Sequence, residues 1–485
     1  MSAFRAAAGL LMAALLLPEL SGPIPRAARP RNLLLVTLDT MRADRLSVYG
    51  FAGVQMPALE RIAREGTVFE EAFAAVPLTL PSHSSMMTGL YPPRLTVRDN
   101  AGSPLSNEFT TLAELLRAHG LSTAAFVASS VVAPGRGLEQ GFDRYSLGES
   151  NRCPGMPVRR RANEVVDEAL TWLREHDSKP FFTWVHLFDT HRPYDLPPPF
   201  KDQHFDPYIA AIQYEDSQIA RLLAHLQSRG LLDTTLIVVI GDHGESLGGH
   251  GEDAHGIFVY QEALRVPFLM RGPGVATRRP ARTARVVDVM PTVLDGFGVP
   301  VHGIDGVSLH RTEQDAAPEV YAESMYPLRF GWAPLRTLRA DRYKFIAAPR
   351  AELYDLTTDP AEERNVIDEH PKVAEAMRRR LQSFDSEEAP AAAGEALTDR
   401  AVSELLASLG YIGSSDSSQA ARPGRGADPK DHIADFNRIT ARHWQRGEQR
   451  GALCTSGSHR GTSSPDRHSH PSAQTTRGTA FIASQ

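Results

Sequence analysis

Hydrophobic residues in this chain follow two alternating patterns. Short, continuous apolar runs end in polar residues, and stretches of helical period lie between them. The first run is RNLLLVTLDT (residues 31–40). An unbroken run of this kind reads as a strand buried on both faces of a parallel sheet. FFTWVHLF (181–188), which leads into Asp189 and His191, and TTLIVVIGDHGE (234–245) read the same way. Helical periodicity covers 56–73 (MPALERIAREGTVFEEAF), 109–119, 162–175 and 208–229. Gly120 and Gly230 are placed to end two of these helices. STAAFVAS (122–129) supplies a further strand. Strands alternating with helices predict an α/β fold, a doubly wound and mostly parallel sheet spanning 31–310, with a closing helix at 287–299.

The pattern changes beyond residue 318. LRTLRADRYKFIAA (335–348) and AELYDL (351–356) read as antiparallel strands around a turn near Ala348–Arg350, and HPKVAEAMRRRLQSF (370–384) as a helix. Together they predict a smaller C-terminal α+β subdomain over 318–385. Residues 386–430 read as a linker, Ala/Glu/Pro-rich at its start. Residues 431–449 begin a helical array that stops. From Arg446 the chain is rich in Ser, Thr, Gly, His and Arg and nearly lacks Leu, Ile and Val. Such a segment buries too little apolar surface to order itself. The stretch 431–485 therefore reads as a truncated helical segment with a disordered tail, either natural or the product of a frameshift.

Composition adds compartment and excludes some partners. Arg5 precedes an apolar run from Ala6 to Leu17, broken at Pro18. That length suits the core of a signal peptide and is short for a membrane span. Residues 1–25 are read as a signal peptide or, given the basic Arg26, Arg29 and Arg31 that follow, as an N-terminal membrane anchor. The protein is expected to be periplasmic or secreted. Two distant cysteines, Cys153 and Cys454, exclude a disulfide framework. A net charge of −6 leaves no footprint for nucleic acid.

The candidate chemistry sits at strand ends, where open α/β sheets bind ligands. Asp39, Asp189, His191, Asp242 and His243 all follow apolar runs. The loop GDHGESLGGHGEDAHG (241–256) combines acids, histidines and glycines, a mixture suited to a divalent metal. In PLTLPSHSSMMTGLYPPR (77–94), Thr79 falls at a helix N-terminus, whose free N–H groups attract anions. A hydroxyl there serves as a nucleophile if a metal lowers its pKa, or only as a helix cap.

From Asn32 to about His370 the chain resembles the sulfatase family of the alkaline phosphatase superfamily. The resemblance is carried, in order, by NLLLVTLDTMRAD, MPALERIAREGTVFEEAF, PLTLPSHSSMMTGLYPPR, GDHGESLGGHGE, RVPFLMRGPG, VDVMPTVLDGFG and RADRYKFI with ELYDLTTDPAEERNV. It implies an alkaline-phosphatase-like fold, a bound divalent metal and a covalent nucleophile. By position it implies that Asp39, Asp242 and His243 hold the metal, with Thr79 as nucleophile and further ligand. It also gives His191 and His255 catalytic contacts to the substrate, and His83 and His250 binding contacts. Ca²⁺ or Mg²⁺ follows from the family, whereas three oxygens and one imidazole suit Zn²⁺ or Mn²⁺. A second metal held by Asp189, His191, His250 and His255 is the two-metal alternative.

This chain departs from the family pattern at several positions. Thr79 stands where the family has Cys, modified to formylglycine, or Ser. Thr40 replaces the second Asp of a pair, and His83 the signature Arg. Ala128 and Ser130 replace a Lys and a His, His255 replaces a Lys, and His243 stands where the family mostly has Asn. A sulfated aldehyde hydrate expels sulfate through its second hydroxyl, which Thr lacks, whereas a phosphorylated Thr is open to assisted attack at phosphorus. The expected activity is hydrolysis of phosphate or sulfate esters, phosphate favoured, on a small-molecule or polymer substrate. The alternatives are a sulfatase proper, an envelope phosphoryl-group transferase, and a non-catalytic descendant that binds anions or proteins.

Overall fold

The computed structural model describes residues 29–148, 158–203, 206–310, 318–384, 426–442 and 444–445. The expected signal or anchor segment 1–25, both cysteines, most of the expected linker and the tail beyond 445 lie outside them. Up to Phe126 the chain forms β1 (Asn32–Leu38), α1 (Pro57–Glu65), β2 (Thr67–Val68), β3 (Ala72–Phe73), α2 (Thr79–Thr88), α3 (Leu112–Ala118) and β4 (Ser122–Phe126). It continues through β5 (Arg144–Ser146), α4 (Ala162–His176), β6 (Phe181–Leu187), α5 (Phe200–Gln203), α6 (Pro207–Ser228) and β7 (Thr235–Gly241). Next come α7 (Gln261–Leu264), β8 (Phe268–Arg271), β9 (Ala284–Arg285) and α8 (Val289–Phe297). The last elements are β10 (Val320–Ser324), β11 (Leu335–Ala340), β12 (Tyr343–Ala347), β13 (Glu352–Asp355) and α9 (Pro371–Ser383).

Seven strands form the main sheet in the order β2-β8-β7-β1-β6-β4-β5. The five from β7 to β5 are parallel, and β8 and β2 add an antiparallel edge. All seven residues of β1 are buried, as a central parallel strand requires. Its alternate side chains serve two cores. Leu33 and Leu35 join one with α2, α3 and α8, and Leu34, Val36 and Leu38 join the other with α1, α4 and α6. The expected mostly parallel α/β sheet, with helices on both faces, is present.

Two expected elements are corrected. The helical reading of 56–73 holds only to Glu65, and the remainder forms the short strands β2 and β3. Gly66 is the reason, since a Cβ there would lie 2.0 Å from the Met270 carbonyl oxygen. The backbone runs too close to β8 for the helix to continue. The stretch 335–348, read as one strand, is the hairpin β11–β12, turned at Asp341 with φ 50°. Thr111 and Glu114 form a reciprocal capping box on α3, and Gly120 follows it at φ +95°.

The C-terminal subdomain is a four-stranded antiparallel sheet, β10-β11-β12-β13, with α9 laid on it through Ala374, Met377 and Leu381. Residues 426–442, which span the end of the expected linker and the start of the expected helical segment, pack back on the segment after β10 and on the 241–256 loop. Phe436 is buried there against Tyr326 and Phe330, and His432 stacks on Trp332 with ring centroids 5.1 Å apart. Among the described residues, no helix is long and apolar enough to cross a membrane.

Candidate metal and nucleophile site

Register brings the site together. Leu38 pairs with Leu187 on one side and Gly241 on the other, so β1, β6 and β7 end level. The residues that follow them, Asp39, Asp189 to His191 and Asp242 with His243, emerge at one edge of the sheet. Helix α2 is buried along its whole length, and its first residue, Thr79, meets the same edge. The Ser82 hydroxyl donates to the Asp242 carbonyl at 2.6 Å and ties α2 to β7.

Asp39, Asp242 and His243 present ligand atoms that all lie within 4.8 Å of one another, and all three residues are buried. Asp242 Oδ1 accepts the His243 and Thr40 backbone N–H groups at 2.7 and 3.3 Å. Neither Asp242 Oδ2 nor Asp39 Oδ1 receives a hydrogen bond. Two buried, unbonded carboxylate oxygens facing an imidazole are what a divalent cation requires and what an apolar core does not tolerate. The residues therefore fit a metal. Burial raises the Asp39 and Asp242 carboxyls above the ordinary range, and Asp39 adds repulsion at Asp242.

Hydrogen-bond partners fix the state of His243. Its Nδ1 lies 2.9 Å from the Gly244 carbonyl, which only accepts, so Nδ1 carries the proton. The Nε2 lone pair then faces Thr79 Oγ1 at 3.4 Å. Burial, with His255 nearby, pushes His243 down to about 3, so the ring is neutral at physiological pH. The same outward-facing lone pair is what a metal-ligating histidine needs.

His191 and His255 complete this edge. Their ring centroids are 5.2 Å apart, and that of His255 is 4.6 Å from His243. His191 Nδ1 donates to the Arg192 carbonyl at 2.7 Å. His255 Nδ1 sits 3.2 Å from Glu245 Oε1, a buried carboxyl pushed up to about 8 by desolvation. Glu245 was given no role in the sequence reading, although it stands in the same DHGE run as two of the candidate metal ligands.

Two histidines are held differently from the sequence expectation of substrate contacts. His83 is fully buried, with Nδ1 on the Thr79 carbonyl at 2.8 Å and Nε2 on Thr37 Oγ1 at 3.1 Å. Both nitrogens are thus engaged within the protein, and the ring props α2 from beneath. His250 lies between Glu262 Oε1 at 3.1 Å and the Glu362 carbonyl at 3.0 Å, stacked on Tyr260. It joins the loop to the C-terminal subdomain and is not among the three clustered ligands.

The second-metal set is not assembled either. Asp189 Oδ2 accepts the Ala162 N–H at 2.9 Å at the start of α4. Among the described residues, Asp39, Asp242 and His243 are the only group with metal-site spacing. Two departures are structural as well. Ser130 bonds Val158, and Thr40 occupies a left-handed turn at φ 54° with its N–H on Asp242.

Comparison with known proteins gives the chain a family. Residues 31–299 match the family described as Sulfatase, and residues 252–387 match the family described as N-sulphoglucosamine sulphohydrolase, C-terminal. The Delta 4,5-hexuronate-2-O-sulfatase of Bacteroides thetaiotaomicron is 23% identical, the alignment covering 74% of this chain and 89% of that protein. Arylsulfatase K of Gallus gallus is 24% identical, over 74% of this chain and 83% of that one. Two solved structures share the fold. A complex with D-glucosamine-2-N,6-O-disulfate has a TM-score of 0.63 at 22% identity and covers 75% of this chain and 100% of its own. The phosphonate monoester hydrolase of Agrobacterium radiobacter has a TM-score of 0.62 at 22% identity and covers 74% and 96%.

Proposed function

The chain belongs to the sulfatase family and is an ester hydrolase, and on that premise we propose that Thr79 is its nucleophile and phosphate esters its preferred substrates. The observation that carries this reading is Thr79 Oγ1 at the N-terminus of α2, 3.4 Å from a neutral His243, at the edge where Asp39 and Asp242 each keep one oxygen without a hydrogen bond. A divalent cation held by Asp39, Asp242 and His243 would lower the hydroxyl pKa and offset charge on the ester. Thr79 gives up its hydroxyl proton to solvent and Oγ1 attacks phosphorus; the bond to the leaving oxygen breaks as that oxygen takes a proton from His255, whose Nδ1 faces the Glu245 carboxyl, or from His191 in its protonated form. Water then attacks the phosphothreonine and restores the hydroxyl. A phosphonate monoester hydrolase among the structural neighbours is in keeping with phosphorus chemistry on this fold.

The substrate is proposed to be an ester on a small molecule or a polymer, met outside the cytoplasm after the segment 1–25 directs export. The names of the curated relatives favour a second reading, sulfate ester hydrolysis. A panel of nitrophenyl phosphodiester, phosphate monoester and sulfate separates the two. Wild type is expected to cleave a phosphate ester fastest, Thr79→Ser to retain activity, and Thr79→Ala to lose it. Much faster turnover of the sulfate, with Thr79→Ala inactive on all three, overturns the phosphate preference. Absence of both bound metal and activity would mark a non-catalytic descendant.

A further inference from the structure

We propose that His186 is a positioning residue that aims Asp39 at the cation, an inference that rests on the metal-site reading above. The side-chain period of two in β6 puts Phe182, Trp184 and His186 on one face. Register sets His186 directly beside Thr37, two residues before Asp39. The ring is fully buried, packed edge-on against His83 at 5.1 Å between centroids.

An imidazole in that position is either a satisfied core histidine or an orienting one, and its two bonds decide. The backbone N–H of Ala128, which can only donate, points at His186 Nδ1 at 3.2 Å. Nδ1 must therefore carry the lone pair, and the proton of the neutral ring sits on Nε2. Nε2 lies 3.4 Å from Asp39 Oδ2, which accepts. A directed chain results, from the Ala128 N–H through His186 to Asp39 Oδ2. It occupies one carboxylate oxygen and leaves Oδ1, the unbonded one, for the cation. Ligand carboxylates and histidines are held by such outer partners, whose loss weakens metal binding. The Lys-to-Ala change at 128 removes a side chain but keeps the N–H that starts the chain.

The test titrates Ca²⁺ and Mn²⁺, each alone, into the metal-free full-length protein by calorimetry, with thermal melting as the control for folding. His186→Leu is expected to weaken binding about 10- to 100-fold. His186→Gln, whose amide N–H reaches where Nε2–H stood, is expected to recover most of that loss. A Leu variant that binds as tightly as wild type overturns the role, and so do Gln and Leu variants that are equally weak. If the Leu variant does not fold, His186→Asn takes its place, since its amide is too short to reach Asp39. Equal affinity of the Asn and Gln variants overturns the proposal. A wild type that binds neither ion overturns the metal triad and this role with it, whereas a wild type that binds, with variants that bind no more weakly, overturns His186 alone.

Discussion

The metal end of the main sheet and the seam beneath the C-terminal sheet both bury charge, and they treat it in opposite ways. At the metal end Asp39 and Asp242 lie side by side, each with an oxygen that no hydrogen bond reaches. At the seam, Lys344 is ion-paired to Glu362 at 2.6 Å, and Glu362 also accepts the Gln261 N–H at 2.6 Å. Lys430 reaches Glu352 at 2.5 Å in the same region. Glu362 Oε1, like the two aspartate oxygens, receives no hydrogen bond, but the Lys344 ammonium lies against it, whereas among the described residues Asp39 and Asp242 pair only with histidines. Unmet electrostatic demand at strand ends marks function, and met demand marks architecture.

The largest expected effect breaks the metal end. Asp242→Asn keeps the Oδ1 acceptor for the Thr40 and His243 amides and replaces the unbonded oxygen with an amide nitrogen. Hydrolysis is expected to fall by at least about 10³-fold, as on removal of a group that acts only in the transition state. The metal-free protein should melt no lower than wild type, because an unpaired buried charge has been removed. A large loss of melting temperature with activity preserved would show the carboxylate to be structural.

The same operation at the seam should give the reverse result. Lys344→Met strands Glu362 in a buried site and is expected to cost about 3–5 kcal/mol in denaturant unfolding, with kcat unchanged in the folded fraction. The double variant Lys344→Met, Glu362→Gln should recover part of that loss. If the single variant changes kcat without changing stability, the two regions are not separate in the way described.

A smaller effect is expected where the returning segment 426–442 touches the site loop. The Asn437 amide donates to the Gly251 carbonyl at 2.7 Å and accepts the Asp253 N–H at 3.1 Å, so it clamps the loop that leads to His255. Asn437→Ala should cost about 1–2 kcal/mol for two bonds. It should also raise KM more than it lowers kcat. Unchanged stability would place the segment outside the cooperative unit.

These contrasts were unequally legible in the sequence. β1, β6 and β7 announced themselves because a strand buried on both faces must be apolar throughout, and the polar residues after each run marked the ligand edge. Thr79, Asp39, Asp242 and His243 came from that pattern and from family resemblance together. The engaged nitrogens of His83 and His250 did not, because hydrogen-bond partners from Thr37, Glu262 and Glu362 depend on packing that no local pattern encodes. His186 was hidden within the apolar run that revealed its strand. The return of 426–442 was equally invisible, since Pro429 and Phe436 are its only buried apolar residues among mostly polar neighbours.

The smallest expected effect tests the seam by pH. Burial alone would lower the His250 pKa, but the bonds to Glu262 and the Glu362 carbonyl outweigh it, and the net shift is upward. A group whose folded pKa is raised stabilises fully below its unfolded value, about 6.5 for histidine, and loses that contribution as pH rises through the folded value. His250→Gln should therefore lower the melting temperature more at pH 6 than at pH 9, and the difference should shrink in high salt because the site is partly open to solvent. Glu262→Gln should abolish the same pH dependence. If His250→Gln is equally mild at both pH values while Glu262→Gln is severe, the carboxylate acts through another partner, and the ring serves the seam only by stacking on Tyr260.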